Sequence, residues 1–483
     1  MLTGLNKHAV LGPTMALPIS ALEPAWRDSR WYKEMTVTPV SSTVSDKPPP
    51  PINTAHTRNG WLHLPRFRGI QLLGSVADDR RSTGEAMHEL EFGGELRHAQ
   101  IEATAKVMHQ MHRLGGAMLV LPCGFGKTVC SIWILTQLKR RALVLVHTGA
   151  LADQWVDRIT TFLPGVRVGR IQQDTVDVDG CDVVVGMVQS LAKRDYARDV
   201  LATFGTVVVD EAHHIAAPWF TSALQKLPAR YVLGLSATPD RRDGLGVILP
   251  WVLGPIAFRA TRDAEEVDVD MVSYVDPPNQ VELLDRRGKV RYSEMLTTLS
   301  VNAARNVAIV RCITEHARRG RCLIVLSERR DQLLELERLL LDQEGAVSAT
   351  NAPPRKRRRK SDPPVSPLPP PPDSDLVIAR VMGGTRDEMR DRGFAHCTVL
   401  LSTYPYAAEG IDIPRLDTLV MASPGINVEQ TVGRILRRHP DKQRPLVVDI
   451  IDPFSLFERM GWKRFRYYQS QNYTTRSTTW NAP

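Results

Sequence analysis

The 483 residues carry 62 Lys or Arg against 53 Asp or Glu, a formal net charge of +9, with 43% hydrophobic and 24% charged residues. That balance fits a globular chain of roughly two to four domains, each able to bury a core, and no apolar run reaches the ~18 residues a membrane span needs. Six of the positive charges sit in one run at 355–360, so the rest is only mildly basic and global charge is weak ground for a nucleic-acid partner. The cysteines at 123, 130, 181, 312, 322 and 397 show no C-x-x-C spacing. That argues against a zinc site or a disulfide framework and for a reducing, intracellular compartment; no secretory leader pattern opens the chain.

Residues 1–90 hold no catalytic constellation. Pro48-Pro49-Pro50-Pro51, in a Ser/Thr-rich stretch, reads as a linker or polyproline segment, and part of this region is expected to be disordered. Leu62-His63-Leu64-Pro65-Arg66-Phe67-Arg68-Gly69 alternates as a short strand does. The expected role is an accessory layer or a substrate-guiding arm. From Gly94 the pattern turns helical, with Ile101, Ala105, Met108 and Met111 on a stripe. Gln100 in this stretch reads either as a surface amide or as a reader of an adenine edge.

The apolar run 117–121 reads as a buried strand that breaks at Pro122 into Cys123-Gly124-Phe125-Gly126-Lys127-Thr128. Val129, Ile132, Leu135 and Leu138 then repeat at helical spacing. Strand, glycine turn, Lys-Thr and helix are the parts of a phosphate cradle. Backbone N–H groups at the helix start wrap a β-phosphate, the Lys127 ammonium reaches the outer phosphates, and the Thr128 hydroxyl ligates Mg²⁺.

Strand-like runs follow at 142–147, 182–187, 206–210 and 231–237, separated by helical stretches, and a second set lies at 321–327, 376–381, 397–403, 418–423 and 445–452. The alternation predicts an α/β protein of two lobes, each a parallel sheet covered by helices on both faces. The expected boundaries are 1–90 for the N-terminal region, 91–265 for the first lobe and 266–483 for the second. Residues 351–375, rich in proline and holding the basic run, read as a disordered insertion in the second lobe. Its candidate roles are a nuclear address, an electrostatic tether or a solvated loop.

Asp210 and Glu211 close the strand 206–210. In a phosphate-loop enzyme the first holds Mg²⁺ through its water shell and the second positions and deprotonates the attacking water.

Gly124-x-Gly126-Lys127-Thr128, Asp210-Glu211-Ala212-His213, Ser236-Ala237-Thr238, Glu409-Gly410-Ile411-Asp412 and Gln430-Thr431-Val432-Gly433-Arg434-Ile435-Leu436-Arg437 follow one another in the order of the superfamily 2 DEAD/DEAH-box helicases. The match spans residues 91–483. The glycine expected earlier in the loop is replaced by Leu121, and the retained form resembles that of many helicases. Leu121-Pro122-Cys123-Gly124, His213-His214-Ile215, Val448-Asp449-Ile450-Ile451-Asp452 and Gly461-Trp462-Lys463-Arg464 most resemble XPB-like and large-DNA-virus transcription helicases. Where XPB-like proteins carry Arg-Glu-Asp, this chain reads Arg241-Arg242-Asp243.

The resemblance implies two RecA-like lobes with ATP and Mg²⁺ between them and a nucleic-acid strand across both. It implies an ATPase/helicase acting on DNA in transcription or repair, with RNA remodelling or the motor of a restriction or repair complex as alternatives. Expected partners are DNA, or RNA in the alternative, and transcription or repair machinery; no membrane is involved. A host cell or virion would be the setting for a viral protein. Arg434 and Arg437, one helical turn apart, would act as arginine fingers on the γ-phosphate, Gln430 would contact ATP or its water, and Gly410 and Asp412 would help bind nucleotide. His213, Ser236 and Thr238 would couple hydrolysis to movement. Thr148, Gln189, Ser190, Ser402 and Thr403, at strand ends, are candidates for phosphate contacts. Arg464, Arg466, Tyr467 and Tyr468 read either as a base-stacking group or as a solvated amphipathic segment.

Overall fold

Strict alternation along the hydrophobic strands builds the first large sheet. Ala117, Leu119, Val144, Val146, Val208 and Leu233 enter one core, while Met118, Leu143, Leu145, Val184, Val207 and Val209 enter another. Both faces are dry, as a parallel sheet with helices on either side requires. The computed structural model describes residues 4–40, 50–87, 89–122, 124–213, 218–237, 243–260, 266–350, 374, 376–411, 413–425, 428–437, 439–440 and 442–482. The chain divides into two compact units, Met1–Thr261 and Arg262–Pro483.

The first unit opens with short strands: β1 (Val10–Leu11), β2 (Thr14–Pro18), β3 (Thr36–Val37), β4 (Ile52–Asn53), β5 (His56–Arg58), β6 (Trp61–Pro65) and β7 (Asp78–Asp79). β3 and β4 pair with each other, and the other five form a sheet in the order β5-β6-β2-β1-β7. The strand expected over 62–69 ends at Pro65, and Arg66–Leu73 is a helix. Helical geometry brings Gly69 against Met15, where a Cβ would lie 2.2 Å from the Met15 Cβ. The buried Arg66 guanidinium donates to the carbonyls of Ala229 at 2.8 Å and Leu227 at 3.0 Å. Phe67 fills the space beside Gly116, where a Cβ would sit 2.0 Å from its ring. This N-terminal layer is therefore packed onto the large sheet that follows.

That sheet comprises β8 (Gly116–Val120), β9 (Ala142–Val146), β10 (Val168–Gln172), β11 (Thr175–Asp177), β12 (Val183–Met187), β13 (Thr206–Val209), β14 (Tyr231–Ser236) and β15 (Ile256–Arg259), in the order β11-β10-β12-β9-β13-β14-β8-β15. Only the β10–β11 pair is antiparallel.

The second unit repeats the plan with β16 (Asp268–Val275), β17 (Leu323–Ser327), β18 (Ala346–Ser348), β19 (Leu376–Arg380), β20 (Val399–Thr403), β21 (Thr418–Met421), β22 (Leu446–Ile451) and β23 (Thr474–Asn481). The order is β18-β19-β20-β17-β21-β22-β16-β23, and each neighbouring pair is parallel. Ile324, Leu326 and Leu400 face one core, and Leu323, Val325 and Leu401 the other. Among the described residues no helix is long and apolar enough to cross a membrane.

The C-terminal helix Ser455–Ser470 corrects one expectation. Arg464, at 2% exposure, and Tyr468, at 0%, are neither a stacking group nor a solvated face. Arg464 Nε donates to Asp449 Oδ2 at 2.8 Å, and the Tyr468 hydroxyl donates to the same oxygen at 2.9 Å. A fully buried carboxylate attracts them inward, because an unpaired charge there would be costly.

Candidate active site

Five adjacent parallel strands, in the order β12-β9-β13-β14-β8, end on one edge of the first sheet. Gln189 follows β12, Thr148 follows β9, Asp210 follows β13, Ser236 ends β14, and the phosphate loop follows β8. Parallel pairing forces these ends together, and that carboxyl edge is where α/β sheets bind ligands.

In the loop after β8, Gly124 (φ +82°) and Gly126 (φ +99°) take left-handed conformations that disfavour L side chains. A Cβ on Gly126 would also lie 2.5 Å from Gln100 Nε2. The helix Lys127–Leu138 starts at Lys127, so its first N–H groups, which have no intrahelical acceptor, lie at the loop. Gln100 is 3% exposed; its Nε2 donates to the Phe125 carbonyl at 2.8 Å and its Oε1 accepts the Arg97 N–H at 2.9 Å. The chain itself engages both ends of this amide, which braces the loop. The Arg97 guanidinium donates to the same Phe125 carbonyl.

Glu211 Oε1 lies 3.6 Å from Lys127 Nζ, and its Oε2 lies 3.4 Å from His213 Nδ1. The Glu211 backbone has φ +45°, costly for a residue with a side chain and characteristic of functional turns. Asp210 is 7% exposed; its Oδ2 accepts the Trp155 indole N–H at 2.8 Å and its Oδ1 accepts the Glu211 N–H at 2.9 Å. Burial first, then the Glu211 charge, push the Asp210 carboxyl above the ordinary range, while the Lys127 ammonium and the indole hydrogen bond act against that rise. An ammonium thus faces two carboxylates in unequal settings beside a glycine cradle, a donor set that fits a triphosphate.

Trp155 and Arg97 were not marked by any motif. Trp155 lies on the helix Gly149–Phe162 among buried Leu151, Ala152 and Ile159, and in the sequence it is one more core ring.

In the second unit, Gln430 lies in the helix Val428–Val432, and Gly410 ends the helix Tyr404–Gly410. The expected helical relation of Arg434 and Arg437 is not present, because turns replace the helix after Val432. Arg434 is 8% exposed and donates to the Ile411 carbonyl at 2.9 Å; Arg437 is half-buried. The loop leading to Gln430 is held by buried donors. Arg305 donates to Ala422 O at 2.6 Å, the Tyr404 hydroxyl to Ser423 O at 2.6 Å, and Arg464 to Gly425 O at 3.3 Å.

The candidate strand contacts divide. Ser402 is fully buried and donates to Val381 O at 2.7 Å; Ser190 is 7% exposed and accepts the Gln173 N–H at 2.9 Å. Neither hydroxyl faces solvent. Thr148 caps its helix by accepting the Leu151 N–H at 3.3 Å, and Gln189 donates to His147 O at 2.7 Å. Thr403, ending β20, is half-buried. Cys123, Thr238, Asp412 and the pair Arg241-Arg242 lie outside the described residues, as does the insertion 351–375 apart from Ser374.

A family model described as "Type III restriction enzyme, res subunit" matches residues 93–241, the segment holding Lys127, Asp210 and Glu211. A protein of Acanthamoeba polyphaga mimivirus, named as an ATP-dependent RNA helicase, is 30% identical over 426 residues, covering 86% of this chain and 76% of its own length. The chain belongs to the superfamily 2 helicases of large DNA viruses. A similarly named protein of African swine fever virus (strain Badajoz 1971 Vero-adapted) is 28% identical over 380 residues, 74% of this helicase and 69% of its own length. The ATP-dependent Type ISP restriction-modification enzyme LlaBIII, solved bound to DNA, shares the fold, with a TM-score of 0.53 and 15% identity over 80% of this helicase and 32% of its own chain. This helicase is accordingly an ATP-using enzyme that acts on nucleic acid.

Proposed function

We propose that this helicase hydrolyses ATP at the Lys127–Asp210–Glu211 cluster and uses the cycle to move along and unwind DNA in transcription or repair. The approach of Lys127 to Glu211 at 3.6 Å carries the reading, because it sets a phosphate-binding cation beside a base for water. The loop 123–126 and the helix start hold the phosphates. The Thr128 hydroxyl and the Asp210 carboxylate are the groups that would hold Mg²⁺, which would supply charge neutralisation of the phosphates. Glu211 orients and deprotonates the attacking water, and His213 steadies its second oxygen. Gln430, Arg434 and Arg437, with Gly410 and Asp412, serve turnover from the second unit, and Ser236 and Thr238 couple it to movement. Thr148, Gln189 and Thr403 meet the strand; Ser190 and Ser402 contribute backbone only.

The working parts are 1–90 as an accessory layer, 91–265 as the nucleotide lobe and 266–483 as the second lobe; the division at Thr261/Arg262 supports the boundary between the two lobes, and the first unit includes residues 1–90. The infected cell is the setting, supported by the viral relatives. For residues 355–360 the readings are a nuclear address, an electrostatic tether and a solvated loop, which deletion of 351–375 separates by cell distribution and by the salt dependence of binding.

Lys127→Ala should abolish nucleotide binding, and Glu211→Gln should bind ATP without turning it over. Wild-type turnover by Glu211→Gln would overturn the assignment. The names of the mimivirus and African swine fever virus relatives favour RNA as a second reading of the track. Strand displacement on tailed DNA and RNA duplexes decides between them.

A further inference from the structure

The helix Ser455–Ser470 has a face that its core does not use. Phe457, Gly461, Arg464 and Tyr468 are buried and form the stripe that seats it. A Cβ on Gly461 would lie 2.8 Å from Ile451 Cγ2, so the helix sits close, and the Arg464–Asp449 pair fixes its rotation. On the opposite side Arg459, Trp462, Lys463 and Arg466 recur at i, i+3, i+4 and i+7, and all four are exposed. Trp462 leaves 58% of its surface in water. Its ring stands edge-on to Phe465, centroids 5.7 Å apart at 79°, which holds the indole in place. Glu458 is the one acid of this helix.

We propose that this face binds a single strand of nucleic acid, with Trp462 stacking on an unpaired base while Arg459, Lys463 and Arg466 meet the phosphates. Charge complementarity selects a polyanion, and the braced indole selects one with exposed ring faces. A duplex hides those faces in its stack, and an acidic peptide has none. Arg459 and Arg466 are about 10 Å apart along the axis at ~1.5 Å per residue, the length of about three nucleotides at ~3.4 Å each. Phosphate contacts and stacking give little sequence preference. The inference rests on the helicase reading for the identity of the strand; the nucleotide cluster plays no part in it.

The test uses the full chain with Trp462→Ala, with Trp462→Phe, and with Arg459→Ser, Lys463→Ser and Arg466→Ser combined. Each is titrated against labelled oligo(dT) and oligo(U) over a range of salt, with ATPase measured with and without the oligonucleotide. Trp462→Ala should weaken binding about tenfold and Trp462→Phe should recover most of it. The triple variant should weaken binding and flatten the plot of log affinity against log salt by about 2, at ~0.7 per phosphate contact. Basal ATPase and melting temperature should not change, since all four side chains are exposed. Wild-type affinity and salt slope in every variant would overturn the proposal. A wild-type chain that binds the oligonucleotides but hydrolyses no ATP would sink the nucleotide-site assignment and leave this comparison intact.

Discussion

Trp155→Phe keeps a buried ring and deletes one N–H. In the native chain that N–H donates to Asp210 Oδ2 across 2.8 Å, with Trp155 1% and Asp210 7% exposed. A hydrogen bond to a charged group contributes about 1.5–3 kcal/mol, so the variant should lose about that much wherever Asp210 is ionised. A packing cost for the smaller ring adds to this and does not depend on pH. Burial and the Glu211 charge raise the Asp210 carboxyl above its ordinary 3.8. A carboxyl so raised contributes stability that is complete below its unfolded value and is lost as pH rises through the folded titration. Removing the indole donor raises it further. The gap between native chain and variant should therefore be widest at about pH 8 and narrower at about pH 5, since a bond to the neutral acid is about half as strong. Urea unfolding at the two values measures the gap. The acid limb of the ATPase profile should also move to higher pH, because Asp210 keeps its proton longer. An equal gap at both pH values and an unmoved acid limb would refute the electrostatic role given to Trp155.

Asp452→Ala leaves the Arg305 guanidinium, at 0% exposure, without its carboxylate, and should cost about 3–5 kcal/mol in urea unfolding. Replacing both with apolar residues of similar volume should restore most of that stability. Gly126→Ala combines a disfavoured φ of +99° with a Cβ 2.5 Å from Gln100 Nε2, so fluorescent-nucleotide titration should show at least tenfold weaker binding in a folded chain. His56 and His63 are stacked 4.9 Å apart, and burial lowers both below 6.5, with Arg58 adding to it. A lowered histidine contributes stability that is complete above 6.5 and is lost as pH falls toward its folded value, so melting temperature should drop below about pH 6.5. His63→Gln should flatten that drop in a melting series.

The two large sheets were legible because their signal is local. In 142–147 or 206–210 every second side chain serves one core, and short apolar runs between helical stretches expose that pattern in one dimension. The phosphate loop was legible for the same reason: Gly124, Gly126, Lys127 and Thr128 lie side by side. Of the N-terminal strands only β6 was. β1, β3, β4 and β7 are two residues each, too short for any period to appear.

Tertiary structure decided the partners. Trp155 meets Asp210 across 55 residues, and Arg464 meets Asp449 across 15. Side-chain polarity is set residue by residue, so Arg464 and Tyr468 read as a stacking group or a solvated face. The second large sheet reverses that reading, because the buried Asp449 must be paired. Likewise the sequence supplied Lys127 and Asp210-Glu211 as separate motifs, and only the neighbour order β13-β14-β8 set them on one edge. Local chemistry is written residue by residue, whereas the identity of a neighbour depends on crossovers and the packing of both sheet faces, which no single stretch contains.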